Sequence, residues 1–193
     1  MEPLIDGVSE HYGTPKYAGQ IMTKSDFLKW EADDAFVYEY NNGRLEPTLS
    51  MKQEEVLLLQ RLTRRFQQTD AYRQEGELVA EVDVWLTDKQ MRRPDVAYYN
   101  PYQLRQMADG NQVVPGFAVE FVSDNDDIRK YIKKLNEYFQ AGVQVVWLVF
   151  SNDQTVYVYT SPKTVTIATD TDVVSAAPVL PELQITVDEL FHR

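Results

Sequence analysis

Apolar residues repeat at helical spacing in two long segments of the chain. The first stripe predicts a helix over residues 52–67 and consists of Leu58, Leu59, Leu62 and Phe66. The second stripe predicts a helix over residues 126–141 and consists of Ile128, Ile132, Leu135 and Phe139. Gly142 follows this second segment, at the position where a left-handed residue commonly ends a helix.

Shorter apolar runs lie between and after these helices and predict strands. A hairpin is predicted over residues 36–46, because the Asn42-Gly43 pair suits a two-residue turn. Single strands are predicted over 78–86, 96–99, 117–122, 143–150 and 155–160. The stretch between the second and third of these is polar and is interpreted as a connection, and short strands end the chain. Helices that alternate with strands in this order predict a mixed α/β fold, a mixed β-sheet flanked by helices.

Composition and the N-terminal segment define the domain organisation. With 44% hydrophobic and 25% charged residues, the chain has the composition of a folded globular protein. The Gly-, Pro- and Tyr-rich residues 1–22 are predicted to form an arm, and 23–193 a single domain. The chain begins without a signal-like segment and has no apolar run long enough to span a bilayer, which predicts a soluble, cytoplasmic protein. The absence of cysteine excludes disulfides and thiolate chemistry.

The charge balance limits the class of partner. Thirty acidic and 19 basic residues give a net charge of −11, which argues against a general nucleic-acid binder. Residues 61–134 contain 12 of the bases and 12 of the acids, so this stretch is neutral and all the net charge lies outside it. A site for a polyanion is therefore expected in the middle of the chain.

Three charged residues are candidates for chemistry. Glu120 is an acid within the apolar run Phe117–Val122, and such a carboxylate is costly to bury unless a cation compensates it. Asp95 follows Pro94 at the start of a predicted strand, and Lys134 lies on the second long helix. A structural ion pair explains Glu120 equally well, and Pro-Asp alone is often only a turn element. Together, two acids on adjacent strands are able to share a divalent cation.

The order of these features resembles the core of the PD-(D/E)XK nucleases and, more narrowly, the Uma-type family of restriction-endonuclease-like proteins. The resemblance covers about residues 22–191. The matching segments are Tyr38–Leu45, Arg93-Pro94-Asp95-Val96, Val119–Ser123, Lys134 with Tyr138, Ala141-Gly142-Val143, Trp147-Leu148-Val149 and Leu180–Phe191.

The resemblance implies roles for individual residues. Asp95 and Glu120 correspond to the metal-binding acids, for Mg²⁺ or Mn²⁺, and a carbonyl near Phe121 is expected to assist them. Val122 occupies the usual position of the strand lysine, and in the Uma-type family the lysine on the following helix corresponds to Lys134. The family often has a histidine at the start of the first long helix, where this chain has Glu55. Glu55 is either a third, outer metal ligand or merely a helix-start acid, and the second interpretation is slightly favoured.

These expectations lead to competing functions. The first is a metal-dependent endonuclease that hydrolyses DNA phosphodiester bonds, with Asp95, Glu120 and Lys134 as catalytic residues. The alternative is a catalytically weakened nuclease fold that serves as a binding or assembly module, favoured by Val122 and by the acidic balance. Two-carboxylate glycoside hydrolysis ranks third. The 12 tyrosines predict a homodimer that buries some of them between subunits. His11 and His192 lie at the chain ends, which argues against histidine chemistry.

Overall fold

The computed structural model describes residues 13–123 and 127–192. The helices of this part are α1 (Lys24–Phe27), α2 (Gln53–Phe66), α3 (Asp70–Arg73), α4 (Pro101–Ala108), α5 (Ile128–Ala141) and α6 (Val187–Phe191). The strands are β1 (Val37–Asn41), β2 (Arg44–Thr48), β3 (Glu77–Ala80), β4 (Val84–Thr87), β5 (Gln90–Arg92), β6 (Val96–Tyr99), β7 (Phe117–Val122), β8 (Val145–Phe150), β9 (Thr155–Ser161), β10 (Thr164–Thr169), β11 (Val173–Ala176) and β12 (Leu180–Thr186).

A six-stranded mixed sheet is the centre of the fold. Its strand order is β10-β9-β8-β7-β6-β3, in which β7 and β8 are parallel and the other neighbours are antiparallel. Helix α5 connects the two parallel strands, as such a crossover requires. Leu58, Leu62 and Phe66 of α2 pack on one face of this sheet, and Leu135 and Tyr138 of α5 pack on the other. The predicted α/β class, a mixed sheet flanked by helices, is confirmed.

A second sheet, with the order β2-β1-β5-β4, packs against α5. The predicted hairpin is present as β1 and β2, and its turn residues Asn42 and Gly43 have φ angles of 51° and 85°. The predicted single strand over 78–86 is wrong. Glu81 has a φ of 48°, and the chain there leaves β3 in the large sheet to begin β4 in the small one. Helix α5 is thereby enclosed between two sheets.

The predicted apolar stripe of α5 is only partly correct. Leu135 is buried, whereas Ile128 and Ile132 are 44% and 43% exposed. The buried face is instead centred on Leu135 and Tyr138, and Lys134 lies next to it with a side chain that is 13% exposed. The helix ends at Gly142 with a φ of 105°, as predicted. The buried face therefore places Lys134 in the protein interior.

Helices α4 and α6 are among those that were not predicted. The polar stretch after β6 contains α4, which Asn100 caps through its side chain and which has Pro101 in its first turn. Near the C-terminus, Thr186 and Glu189 form a capping box at the start of α6. Both sequence signals are present, but each helix is too short to show a clear apolar stripe.

The start of the predicted N-terminal arm, including His11, lies outside the described residues. In the described part of the arm, Ile21 forms a β-bridge with Arg44 of the hairpin. At the other end, His192 lies 3.9 Å from Asp188 and is not a neighbour of the acids predicted for the site. In residues 13–123 and 127–192, no helix has the length and apolar character that a membrane span requires.

Candidate active site

Asp95 and Glu120 lie on neighbouring chain segments of the large sheet. Strands β6 and β7 pair with Val96 opposite Val119, so the same register places Asp95, one residue before β6, opposite Glu120. Side chains that face each other across an antiparallel pair have Cβ atoms about 4.5–5.5 Å apart. The Asp95 carboxylate is fixed there, because its Oδ2 accepts a hydrogen bond of 2.6 Å from the backbone N–H of Phe121. The strand arrangement predicted for the two acids is thus confirmed.

The two carboxylates are incompletely compensated. Burial raises the pKa of Asp95 well above its usual value, and the negative charge of Glu120 raises it further. Burial also raises the pKa of Glu120, although the positive charge of Lys134 acts against this increase. An additional positive charge between these two acids would therefore be stabilising.

Lys134 reaches this pair from α5. Its Nζ lies 3.1 Å from Glu120 Oε2 and 3.0 Å from Oε1 of a second buried acid, Glu39. Burial acts against the ammonium charge, but Glu120 and Glu39 outweigh it and raise the pKa of Lys134. The structure therefore brings Lys134 to the site. The neighbouring lysines differ, since Lys130 is exposed and the half-exposed Lys133 pairs with Glu46 at 2.8 Å.

Glu39 was not predicted as a site residue. It lies on β1, is 3% exposed, and accepts hydrogen bonds at Oε1 from both Lys134 and the backbone N–H of Arg93, the latter at 2.9 Å. Its Oε2 pairs with Arg92 Nη1 at 2.8 Å. Burial alone would raise the pKa of Glu39, but the charges of Lys134 and Arg92 outweigh burial and lower it.

Arg92 is the centre of a buried ion-pair network between the small sheet and α5. Its side chain is 1% exposed and pairs with Glu39, with Glu46 at 2.5 Å and with Glu137 of α5 at 2.7 Å. The neighbouring acids raise the pKa of Arg92 in spite of its burial. Within the described residues, Arg92 Nη2 is buried and has no hydrogen-bond partner. Sequence reasoning missed Arg92 as well.

Two further positions complete the surroundings of Glu120. Tyr138 is fully buried and donates a hydrogen bond of 2.5 Å from its hydroxyl to Glu120 Oε1. Val122, in the usual lysine position, is 5% exposed and packs with Leu135 and Tyr138. Both Glu120 oxygens are thus engaged by side chains of α5, and residue 122 contributes only packing.

The other predicted ligands have partners of their own. Glu55 Oε2 accepts a hydrogen bond of 2.6 Å from the N–H of Lys52 in a capping box, which agrees with the helix-start interpretation. Its negative charge is among the causes that raise the pKa of Asp95. The Phe121 carbonyl accepts a hydrogen bond of 3.3 Å from the Tyr131 hydroxyl. Among the described residues, no group of three or more His, Cys, Asp or Glu side chains is arranged to hold a metal ion.

The donor set nevertheless fits a hard divalent cation held by two carboxylates. Carboxylate oxygens are the ligands that Mg²⁺ prefers, and Mg²⁺ is commonly held by one or two carboxylates together with substrate phosphates and water. Burial raises the pKa values of Asp95 and Glu120, so a cation beside them would stabilise their charged forms. The residues present therefore suit Mg²⁺ or Mn²⁺.

Comparison with known proteins identifies the family and agrees with the fold. The sequence model of the Uma2 family, described as "Putative restriction endonuclease", matches residues 25–188. The chain belongs to the Uma2 family. The match includes Asp95, Glu120 and Lys134 as well as Glu39 and Arg92, so the whole candidate site lies within the shared domain.

A solved structure is similar along nearly all of the chain. It is described as a putative nuclease belonging to DUF820 from Anabaena variabilis ATCC 29413. The TM-score is 0.75 at 17% sequence identity, and the match covers 88% of this chain and 97% of that one. At this identity the likeness establishes the fold of the Uma2 domain. A search of curated proteins finds no match.

Proposed function

We propose that this Uma2 protein is a metal-dependent endonuclease that hydrolyses DNA phosphodiester bonds, with Asp95, Glu120 and Lys134 as its catalytic residues. The observation that carries the proposal is the cross-strand pair Asp95 and Glu120, two under-compensated carboxylates with an ammonium beside them. Asp95 and Glu120 would hold Mg²⁺ or Mn²⁺, and Glu55 stays a predicted outer ligand.

Each residue has a separate task in this reaction. When bound, the cation polarises the phosphate and lowers the pKa of a coordinated water. The N–H of Phe121 orients the Asp95 carboxylate, and Tyr138 orients that of Glu120. Lys134 places a positive charge next to Glu120, where it stabilises the extra negative charge on the phosphate in the transition state. The proton on Lys134 is retained because its pKa is raised, so it acts as an electrostatic group and not as a base.

Nicking of supercoiled plasmid DNA with Mn²⁺ or Mg²⁺ tests this function. Asp95→Asn preserves size and is expected to abolish cleavage, whereas Asp109→Asn, on the exposed end of α4, is the matched control and should cleave like the unmodified protein. Addition of EDTA should stop the reaction. Cleavage that persists in Asp95→Asn or in EDTA would contradict the proposal. Parallel assays on single-stranded DNA and RNA define the substrate.

A second candidate function is a non-catalytic binding or assembly module. The observation in its favour is that both Glu120 oxygens are engaged by Lys134 and Tyr138, with a buried valine at position 122. In that case, neither Mg²⁺ nor Mn²⁺ would produce cleavage of any nucleic acid. A calorimetric titration with Mn²⁺ separates the two functions, because an enzyme must bind the ion in an Asp95-dependent manner.

We also propose a homodimer, although the tyrosines are not its basis. Tyr38, Tyr40, Tyr98, Tyr99 and Tyr138 are buried in the cores of a single chain. The support is instead β10, which among the described strands pairs only with β9, has no charged residue and exposes Val165 and Ile167 by 42% and 55%. Unprotected edges of this kind tend to pair with a second chain.

Light scattering at micromolar concentration should show the dimer, and Ile167→Lys should convert it to a monomer, because a charge on the edge opposes pairing. Lys163→Glu, in the turn before β10, is the control and should leave the dimer intact. A monomer in the unmodified protein would refute this assembly.

A further inference from the structure

We propose that Glu39 is the positioning residue of the candidate site, which holds the Lys134 ammonium beside Glu120 and fixes the peptide that leads to Asp95. The proposal rests on the function given above and adds a residue from the second sheet to it. Glu39 acts through Lys134 and Arg93 and is not itself a catalytic residue.

The contacts of Glu39 divide between its two oxygens. Oε1 faces the site and accepts hydrogen bonds from Lys134 Nζ at 3.0 Å and from the Arg93 N–H at 2.9 Å. Oε2 faces away and pairs with Arg92 Nη1 at 2.8 Å. A carboxylate with both oxygens held in this way has a fixed orientation, and its charge-assisted hydrogen bonds are about twice as strong as neutral ones.

Lys134 needs a second carboxylate if Glu120 is to bind a cation. Its side chain is 13% exposed, and a buried ammonium without a partner is costly. With Glu120 alone as partner, Lys134 would compete with a bound cation for the Glu120 carboxylate. Because Glu39 Oε1 lies 3.0 Å from the ammonium and Glu120 Oε2 lies 3.1 Å from it, Lys134 keeps an ion pair when Glu120 takes another partner.

The bond to the Arg93 peptide links the same carboxylate to Asp95. Arg93 precedes Pro94, whose ring fixes its own φ angle, and Asp95 follows at once. Anchoring the Arg93 N–H therefore restricts the chain two residues before the Asp95 carboxylate. One side chain of the small sheet thus touches both arms of the site, the helix with Lys134 and the segment with Asp95.

Lysine acylation followed by mass spectrometry tests the contact without any nuclease activity. The measured quantity is the acylation rate of Lys134 relative to that of the exposed Lys163 in the same protein. Glu39→Gln removes one of the two charges that hold Lys134 and should raise this ratio on the order of tenfold, the size of one lost ionic hydrogen bond. Glu46→Gln is the matched control: it removes a carboxylate from the same Arg92 network but leaves both partners of Lys134. Its ratio should not change.

Plasmid nicking gives the second measurement. Glu39→Gln should lower kcat by about tenfold to a hundredfold while KM for DNA is unchanged, because Glu39 is buried and does not reach substrate. In a Lys134→Met background the same substitution should cause no further loss, since the two residues act as a unit. Glu46→Gln should keep the kcat of the unmodified protein. If Glu39→Gln loses its cooperative thermal transition, Glu39→Asp replaces it and should show the same changes with smaller size.

The outcomes separate this inference from the proposed function. An unchanged Lys134 acylation ratio in Glu39→Gln overturns the positioning role, whatever the nuclease assays show. An equal loss of kcat with and without Lys134 overturns it too, because Glu39 would then act by another route. If no nucleic acid is cleaved but the acylation ratio rises, the proposed function fails and the positioning role stands.

Discussion

Glu39 and Glu120 are two buried glutamates that touch the same ammonium, yet their pKa values move in opposite directions. Lys134 Nζ lies 3.0 Å from one and 3.1 Å from the other, and each is 3% exposed. The pKa of Glu39 is lowered and that of Glu120 is raised. Distance to the shared lysine therefore does not determine how well either acid is compensated.

The difference arises from the other neighbours. Glu39 has Arg92 and the Arg93 N–H on its side, whereas Glu120 has only the neutral Tyr138 hydroxyl. The negative charge of Glu39 also raises the pKa of Glu120, and Glu120 in turn raises the pKa of Asp95. The small-sheet side of Lys134 is thus a completed ion-pair network, and the large-sheet side lacks positive charge. A site that binds a cation requires that second condition.

The largest effect on stability is expected when the Arg92 ion-pair network on the small-sheet side is disrupted. Arg92→Met leaves Glu39, Glu46 and Glu137 without their common cation, and removal of one partner from a buried ion pair costs about 3–5 kcal/mol. Chemical denaturation should show this loss of the free energy of unfolding. Arg93→Met is the control, because its partner Asp83 is 47% exposed and such pairs contribute at most about 1 kcal/mol. Equal losses in the two variants would show that the Arg92 network contributes no more to stability than the exposed Arg93–Asp83 pair does.

Removal of the shared ammonium should lower both the stability of the protein and its cleavage rate, and the cleavage rate most of all. Lys134→Ala is expected to slow plasmid cleavage by about 10²–10³, or 2–4 kcal/mol in the transition state. It also leaves Glu39 and Glu120 buried without this partner, so a lower melting temperature is expected as well. Lys130→Ala, exposed on the same helix, is the control. Normal cleavage by Lys134→Ala together with loss in Lys130→Ala would reverse the assignment.

The sequence predicts the large-sheet side well and the small-sheet side poorly. Glu120 is conspicuous because it interrupts an apolar strand, and the antiparallel register brings Asp95 opposite it. Glu39 alternates with Tyr38 and Tyr40, which is the pattern of a strand with one solvated face. Only the packing of α5 over that face buries it. Its contact with Arg92 joins residues 53 positions apart, and no local pattern reports such a pairing.

The helices were predicted with similar limits. The length of α5 and its Gly142 end follow from periodicity, whereas its buried face does not. Ile128 and Ile132 are as apolar as Leu135, but the two sheets enclose the helix further along its length, at Leu135 and Tyr138. Hydrophobicity alone therefore assigns Lys134 to the edge, and the tertiary packing places it inside.

The pH dependence of stability should differ between the two sides. Asp95 has a raised pKa in the folded state, so its favourable contribution is complete at acid pH and is lost as the pH rises through that raised value. Glu46 has a pKa lowered to about 2, so its contribution is present above its unfolded pKa and is lost on acidification. Asp95→Asn should therefore stabilise the protein at pH 7 by about 1 kcal/mol, and Glu46→Gln should destabilise it by a similar amount.

Thermal denaturation between pH 3 and pH 7 checks both signs. The two variants should approach the unmodified protein in stability as the pH falls, from opposite directions. Saturating Mn²⁺ should remove the advantage of Asp95→Asn, because the ion stabilises only the protein that binds it. An Asp95→Asn variant that is less stable at pH 7 would mean that Asp95 is compensated after all.

The smallest effect is expected at the neutral hydroxyl that donates to Glu120. Tyr138→Phe removes the hydroxyl that donates to Glu120 Oε1 and keeps the ring that packs with Leu135. The charged form of Glu120 loses one hydrogen bond, so its pKa should rise further, and the free energy of unfolding should fall by about 1 kcal/mol at pH 7. Cleavage should slow by only about tenfold, because Lys134 still contacts Glu120. Tyr131→Phe, on the same helix and hydrogen-bonded to the Phe121 carbonyl, is the comparison.

If Tyr138→Phe slowed cleavage as much as Lys134→Ala does, the orientation of Glu120 would depend on the hydroxyl more than on the ammonium. The contrast between the two sides of Lys134 would then lie in hydrogen-bond geometry and not in charge.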